Sequence, residues 1–88
     1  MYFDIRKLDV KDFRLEIEFA DGLHGIVHIN KSWLTGVFTP LQDENLFRTA
    51  FLKHGAVTWD IGAEYELDLA PDTMYEEIKN NNGVYIMK

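Results

Sequence analysis

Apolar and polar residues alternate with a period of two in the early chain. Phe13, Leu15, Ile17 and Phe19 alternate with Arg14, Glu16 and Glu18. That period puts the apolar set on one face of a strand and the charges on the other. Asp21-Gly22 supplies a turn, because glycine accepts positive φ without steric cost. Leu23, Gly25, Val27 and Ile29 then share one face of a second strand, with His24, Ile26 and His28 on the other. The pair predicts a β-hairpin. An earlier strand over residues 2–10 is less regular, since Lys7-Leu8 breaks its alternation, and Lys11-Asp12 predicts a tight turn after it.

The middle of the chain loses this regularity. Asn30 or Ser32 can cap a short helical turn running to Leu34, with Gly36 ending it. Pro40 prevents a regular strand through GVFTPL. Asp43-Glu44-Asn45 start a further turn that points Leu46 and Phe47 inward. Two strands follow, Arg48–Leu52 and Ala56–Asp60, joined around Gly55. The last regular element is a helix entered at Pro71, a residue suited to the first helical position because its missing N–H would be unpaired there. Asp72 meets the positive end of the helix dipole. Met74, Tyr75 and Ile78 form its buried stripe, Glu76 and Glu77 face outward, and Lys79 stands near the favourable end. Asn80, Asn81, Asn82 and Gly83 terminate it. Val84–Met87 reads as a final edge strand or an irregular tail.

These elements predict a single α+β domain over residues 1–88: a small, mainly antiparallel sheet, covered by the short C-terminal helix and the aromatic-rich irregular middle. The chain is 47% apolar, with six Phe, four Tyr and two Trp, enough large side chains for a core. It has no cysteine, which removes disulfides and thiolate chemistry and suits a cytoplasmic address. No apolar run is long enough to span a bilayer, and Met1–Val10 carries charges where a signal peptide needs its apolar region.

Charge is distributed unevenly. Residues 60–77 hold seven acidic side chains and no basic one, while residues 1–59 are nearly neutral, so that segment accounts for the net charge of −6. This balance argues against direct nucleic-acid binding, which needs a basic surface. An acidic segment can instead steer a basic protein partner. Candidate partner contacts are therefore Glu64, Glu66, Glu76 and Glu77, joined by Trp33 and Phe38, aromatic residues on the irregular middle segment.

Candidate chemistry is sparse. Asp68, Asp72, Glu64, Glu66 and the three histidines are the groups available for acid–base work. Asp68 and Asp72 have a simpler use as caps of the helix entry. There is no nucleophile elbow and no H-E-x-x-H pattern. His24 and His28 lie roughly 13 Å apart on a strand, too far to share one ion. No catalytic residue, cofactor or metal site is expected. The alternative is a ligand-binding or enzymatic pocket beside the helix entry, lined by Asp68 and Asp72.

Four ordered segments carry a family resemblance: FRLEIEFADGLHGIVHI, LTGVFTPLQDENLFRTAFL, GAVTW and DLAPDTMY. The positions are Asp21, Gly22, Gly25, Gly36, Phe38, Leu41, Asp43, Phe47, Trp59, Asp68, Leu69, Pro71, Asp72 and Tyr75. In this combination the chain resembles the mostly bacterial family called domain of unknown function 2442. It departs from the family by an insertion, AEYE, between Gly62 and Leu67, which lengthens the loop or adds a short strand. The resemblance implies a compact α+β domain without established enzymatic activity. Its helix-entry motif falls on Asp68, Pro71, Asp72 and Tyr75. It also implies a small companion protein encoded nearby, of the type called domain of unknown function 4160, in a toxin–antitoxin or similar two-gene module. A homodimer formed through an edge strand such as Val84–Met87 is a further expectation.

Overall fold

Residues whose side chains alternate in the sequence do form strands, but a bulge resets the parity of the first one. The computed structural model describes residues 3–62 and 66–88. Strand β1 (Ile5–Lys11) pairs antiparallel with β2 (Arg14–Phe19), and the register shifts between Ile5 and Lys7. A bulge inserts one residue on one strand. It lets Ile5 face the core on one side of the shift while Leu8 and Val10 face it on the other. The irregular spacing at Lys7-Leu8 thus becomes compatible with one buried face. The turn to β2 is Asp12-Phe13, with Asp12 at φ 55°.

Strand β3 (His24–Ile29) completes the hairpin, with Arg14 opposite His28 and Glu18 opposite His24. Gly22 has φ 94° in the turn, where a side chain would be strained. Leu15, Ile17, Phe19, Val27 and Ile29 are buried on the inner face.

The middle segment folds as two 3-10 stretches, Lys31–Trp33 and Gly36–Gln42, and a short helix α1 (Glu44–Phe47). Asn30 precedes the first stretch without a side-chain capping bond, whereas Asp43 caps α1 by accepting from Asn45 N–H at 2.9 Å. Pro40 sits inside the second stretch, whose Leu41 is buried.

Strands β4 (Phe51–Lys53), β5 (Ala56–Asp60) and β6 (Glu66–Asp68) form a second, antiparallel sheet. β4 starts later than the sequence predicts because Arg48 and Thr49 close the preceding helical turn. Within the AEYE insertion, Glu66 opens β6 and pairs with Asp60; the rest of the insertion lies outside the described residues.

Helix α2 (Pro71–Asn80) buries Met74, Tyr75 and Ile78 as its spacing predicts. It lies against β3 at Gly25, where an added Cβ would come within 2.4–2.7 Å of Ile78 side-chain atoms. The chain then turns into β7 (Val84–Met87), which pairs parallel with β3 at the end of a sheet ordered β1-β2-β3-β7. The α+β class is as expected, with its strands divided between a mixed sheet and an antiparallel one. One contact at the corner, Ile5 N–H to the Gly55 carbonyl at 2.9 Å, ties the two sheets together.

Candidate partner-binding surface

The helix-entry residues divide between folding and surface. Asp68 ends β6 opposite Thr58 and is exposed. Pro71 is the first residue of α2, and Ala70 stands at the N-cap with no side-chain capping bond. Asp72 lies in the first turn, where its carboxylate accepts from Thr73 N–H at 2.9 Å and faces the dipole. The structure therefore has neither aspartate as the N-cap; the chain enters the helix from β6 with Leu69 N–H bonded to the Val57 carbonyl.

Tyr75 reaches back across the fold. Its hydroxyl donates to Asp21 Oδ2 at 2.5 Å, and Asp21 Oδ1 accepts from Leu23 N–H at 3.0 Å. Phe3 and Phe19 meet the Tyr75 ring edge-on, each at 5.0 Å. The Tyr75 hydrogen bond lowers the Asp21 pKa, and the same bond raises that of Tyr75. A lowered carboxylate pKa contributes stability above the unfolded value near 3.9, and loses it as pH falls through the folded value. Tyr75→Phe is expected to lower Tm by a few degrees near neutral pH, with the two melting curves converging in acid. A difference that stays constant from pH 7 to pH 2 would contradict this coupling.

Other residues of the recurrent pattern serve folding as well. Trp59 is fully buried, and its indole N–H donates to the Phe47 carbonyl at 2.8 Å. Gly25 admits Ile78, Asp43 caps α1 and Leu41 is buried. The pattern marks where distant segments meet.

Trp33 and Phe38 come together on the surface. The two 3-10 stretches bring their rings together at 4.8 Å between centroids with the planes tilted by 47°, and both side chains remain half-buried. They wall a groove of about 230 Å³ completed by Asp68, Leu69, Ala70, Thr73, Met74, Tyr85 and Met87. Its floor is apolar, and exposed Asp68 supplies a carboxylate on its wall. Asp72 is outside it.

The acidic candidates differ in freedom. Glu66 already pairs with Lys53 at 2.6 Å. Glu77 is half-buried and accepts from the Asn81 side chain at 3.1 Å, whereas Glu76 is exposed. Glu64 lies outside the described residues.

The outer face of the mixed sheet carries two further features. Glu18 is buried there between Arg6 and His24, whose Nε2 lies 2.6 Å from Glu18 Oε1; the hydrogen bond from Arg6 is the main cause of the lowered Glu18 pKa. Register aligns Lys11, Arg14 and His28 in one row across β1, β2 and β3. Neither Lys11 nor Arg14 joins an ion pair among the described residues. Lys11 and Arg14 meet across the Asp12-Phe13 turn, and His28, distant in sequence, joins them through the hairpin centred on Asp21-Gly22. Among the described residues no three His, Cys, Asp or Glu side chains gather as metal ligands. No described helix is long and apolar enough to cross a membrane.

The fold and groove define a small α+β domain with an aromatic-walled surface depression. The chain matches the model of the family described as protein of unknown function (DUF2442) over residues 6–80, and belongs to that family. Comparison with curated proteins and with solved structures gives no match.

Proposed function

We propose that this domain is a non-enzymatic protein-interaction module, the antitoxin-like or regulatory member of a two-protein unit acting in the cytoplasm. Its partner is the small companion protein implied by the family resemblance. The observation that carries this reading is the Trp33–Phe38 pair, in tilted contact and left half-exposed on an apolar groove with Asp68 beside it. An apolar side chain flanked by a lysine or arginine complements that arrangement. Aromatic anchors in such depressions concentrate binding energy, and the acidic segment steers a basic partner toward them.

A cofactor-sized ligand fits less well. Ligand pockets usually measure about 300–1,000 Å³ and converge several polar groups. This groove is smaller, at about 230 Å³, and only Asp68 among the acidic candidates lines it. That favours a protein side chain over the alternative pocket of Asp68 and Asp72.

The test is titration of the purified companion against the domain. Trp33→Ala is expected to weaken binding by roughly 30-fold, the effect of a hot-spot residue. Reversal of Glu76 and Glu77 to lysine is expected to reduce the salt sensitivity of association. Unchanged affinity in Trp33→Ala, with the variant still folded, would overturn the assignment of this groove.

A further inference from the structure

The outer face of the mixed sheet is banded by charge. Cross-strand register places Asp9 opposite Glu16, with Ile26 and Val84 completing that row on β3 and β7. Two residues further along the strands, Lys11 stands opposite Arg14, with His28 and Ile86 completing the row. Like charges directly opposite each other destabilise a strand pair, so both bands cost the isolated domain stability. Asp9, Glu16, Lys11 and Arg14 join no ion pair among the described residues. Arg14 Nε is buried without a hydrogen-bond partner. The remaining row differs, because Glu18 is already held there by Arg6 and His24.

Apolar residues on this face run at right angles to the bands. Val84 and Ile86 follow each other along β7, two of the four large apolar side chains left exposed among the described residues. Half-buried Ile26 lies beside Val84. Side chains alternate faces along a strand, so Tyr85 and Met87 point the other way, to the Trp33–Phe38 groove.

We propose that this face docks on the same face of a second copy of the chain, about a two-fold axis that runs across the strands between the acidic and basic rows. Such a rotation exchanges the two rows and keeps each strand over its own counterpart. Asp9 then meets Lys11 of the second copy, and Glu16 meets Arg14. Each contact recurs in reverse, as an isologous interface requires. Val84 meets Ile86 in the same register, so the apolar column covers itself. The shape agrees as well. A uniformly twisted sheet keeps its saddle form under this rotation, so the two faces follow each other's curvature. Their strands run within about 30° of each other, the aligned packing of sheet on sheet. Symmetry selects the occupant: turning the face over inverts the charges on β1 and β2 and preserves the apolar character of β7. A different protein would need an acidic row, a basic row and an apolar column at the same spacings.

Sedimentation of the chain is expected to show a mass rising from 10.3 kDa toward the dimer. The rise should span roughly 10–100 μM, since a face of four short strands is a small interface. Added salt is expected to weaken the association. Arg14→Glu and Glu16→Arg are each expected to weaken self-association by roughly tenfold or more. Folding of the variants has its own readout. Each reversal replaces a like-charge pair, with Lys11 or with Asp9, by an opposite-charge pair, so the Tm of the dilute monomer should stay level or rise. Mixed together, the two variants should associate at least as tightly as the unaltered chain, because one is then basic and the other acidic along the outer face of β2. A chain carrying both reversals should recover self-association. A monomeric mass at about 1 mM would overturn the proposal, as would a dimer unmoved by either reversal. Two weakened variants that fail to associate on mixing would overturn the two-fold register. Loss of companion binding in Arg14→Glu from a monomeric chain would give this face to the companion instead. Trp33→Ala, on the other side of β7, is expected to leave self-association unchanged, which separates this proposal from the groove.

Discussion

Trp59→Ala is expected to cost about 3–5 kcal/mol, the range for deleting a large buried aromatic side chain. Trp59 has no exposed surface, and its ring packs on Phe47 at 5.4 Å, which in turn meets Phe13 at 5.1 Å. The substitution empties the junction between β5, α1 and the turn before β2. It also leaves the Phe47 carbonyl without its indole donor. For 88 residues a total stability of about 4–13 kcal/mol is typical, so the substitution removes a large fraction of it. Trp59→Phe separates the two effects. It keeps much of the ring volume but strands the carbonyl, at about 1–3 kcal/mol. Urea melts followed by circular dichroism would measure both, with Trp33 fluorescence as a second probe. A loss below about 1 kcal/mol for Trp59→Ala would mean that this junction does not hold the core together.

Gly25→Val is the second large effect, and local and tertiary reasoning give it opposite signs. Valine is favoured in strands and glycine weakens them. Gly25 has no positive φ that would forbid a side chain. Taken alone, β3 should gain from the change. The helix decides otherwise, because a Cβ at this position would lie 2.4–2.7 Å from three side-chain carbons of Ile78. Overpacking of this kind typically costs about 1–3 kcal/mol, occasionally more. The test is a double-mutant cycle with Ile78→Ala. That substitution alone is expected to cost about 2–5 kcal/mol by opening a cavity, but in the Gly25→Val background it also relieves the clash. The pair should then cost less than the sum of the single changes. Additive losses would show that α2 does not rest on Gly25 as described.

The elements legible in advance were those written in adjacent residues. Leu15, Ile17 and Phe19 announced β2 by alternation, Asp21-Gly22 its turn, and Pro71 with Met74, Tyr75 and Ile78 the covering helix. Less was legible where neighbours in space are distant in sequence. Val84–Met87 had strand character, but nothing local named β3 as its parallel partner. The bulge at Ile5/Lys7 disguised β1, because it changes parity within one strand.

The candidate surface follows the same division. Trp33 and Phe38 stand on an irregular segment of the sequence. Their contact depends on how two 3-10 stretches approach each other, and the groove also needs β7 and the entry of α2. Asp68 and Asp72 suggested caps because both flank a proline-led helix start. The strand β6 runs closer to that start than a loop would, so Ala70 takes the cap position and Asp68 is left on the surface. Glu66 looked free in sequence but meets Lys53 across the second sheet.

By itself, the sequence determined the α+β class, most of the strands, the turn chemistry and the buried stripe of the helix. Each follows from periodicities and backbone preferences acting over a few residues. Tertiary structure decided the division into two sheets, the β3–β7 pairing, the Tyr75–Asp21 bond and the Lys11–Arg14–His28 row. Those features depend on register between remote segments. Register is set by the sum of many weak contacts under chain connectivity, and no short window of sequence contains that sum.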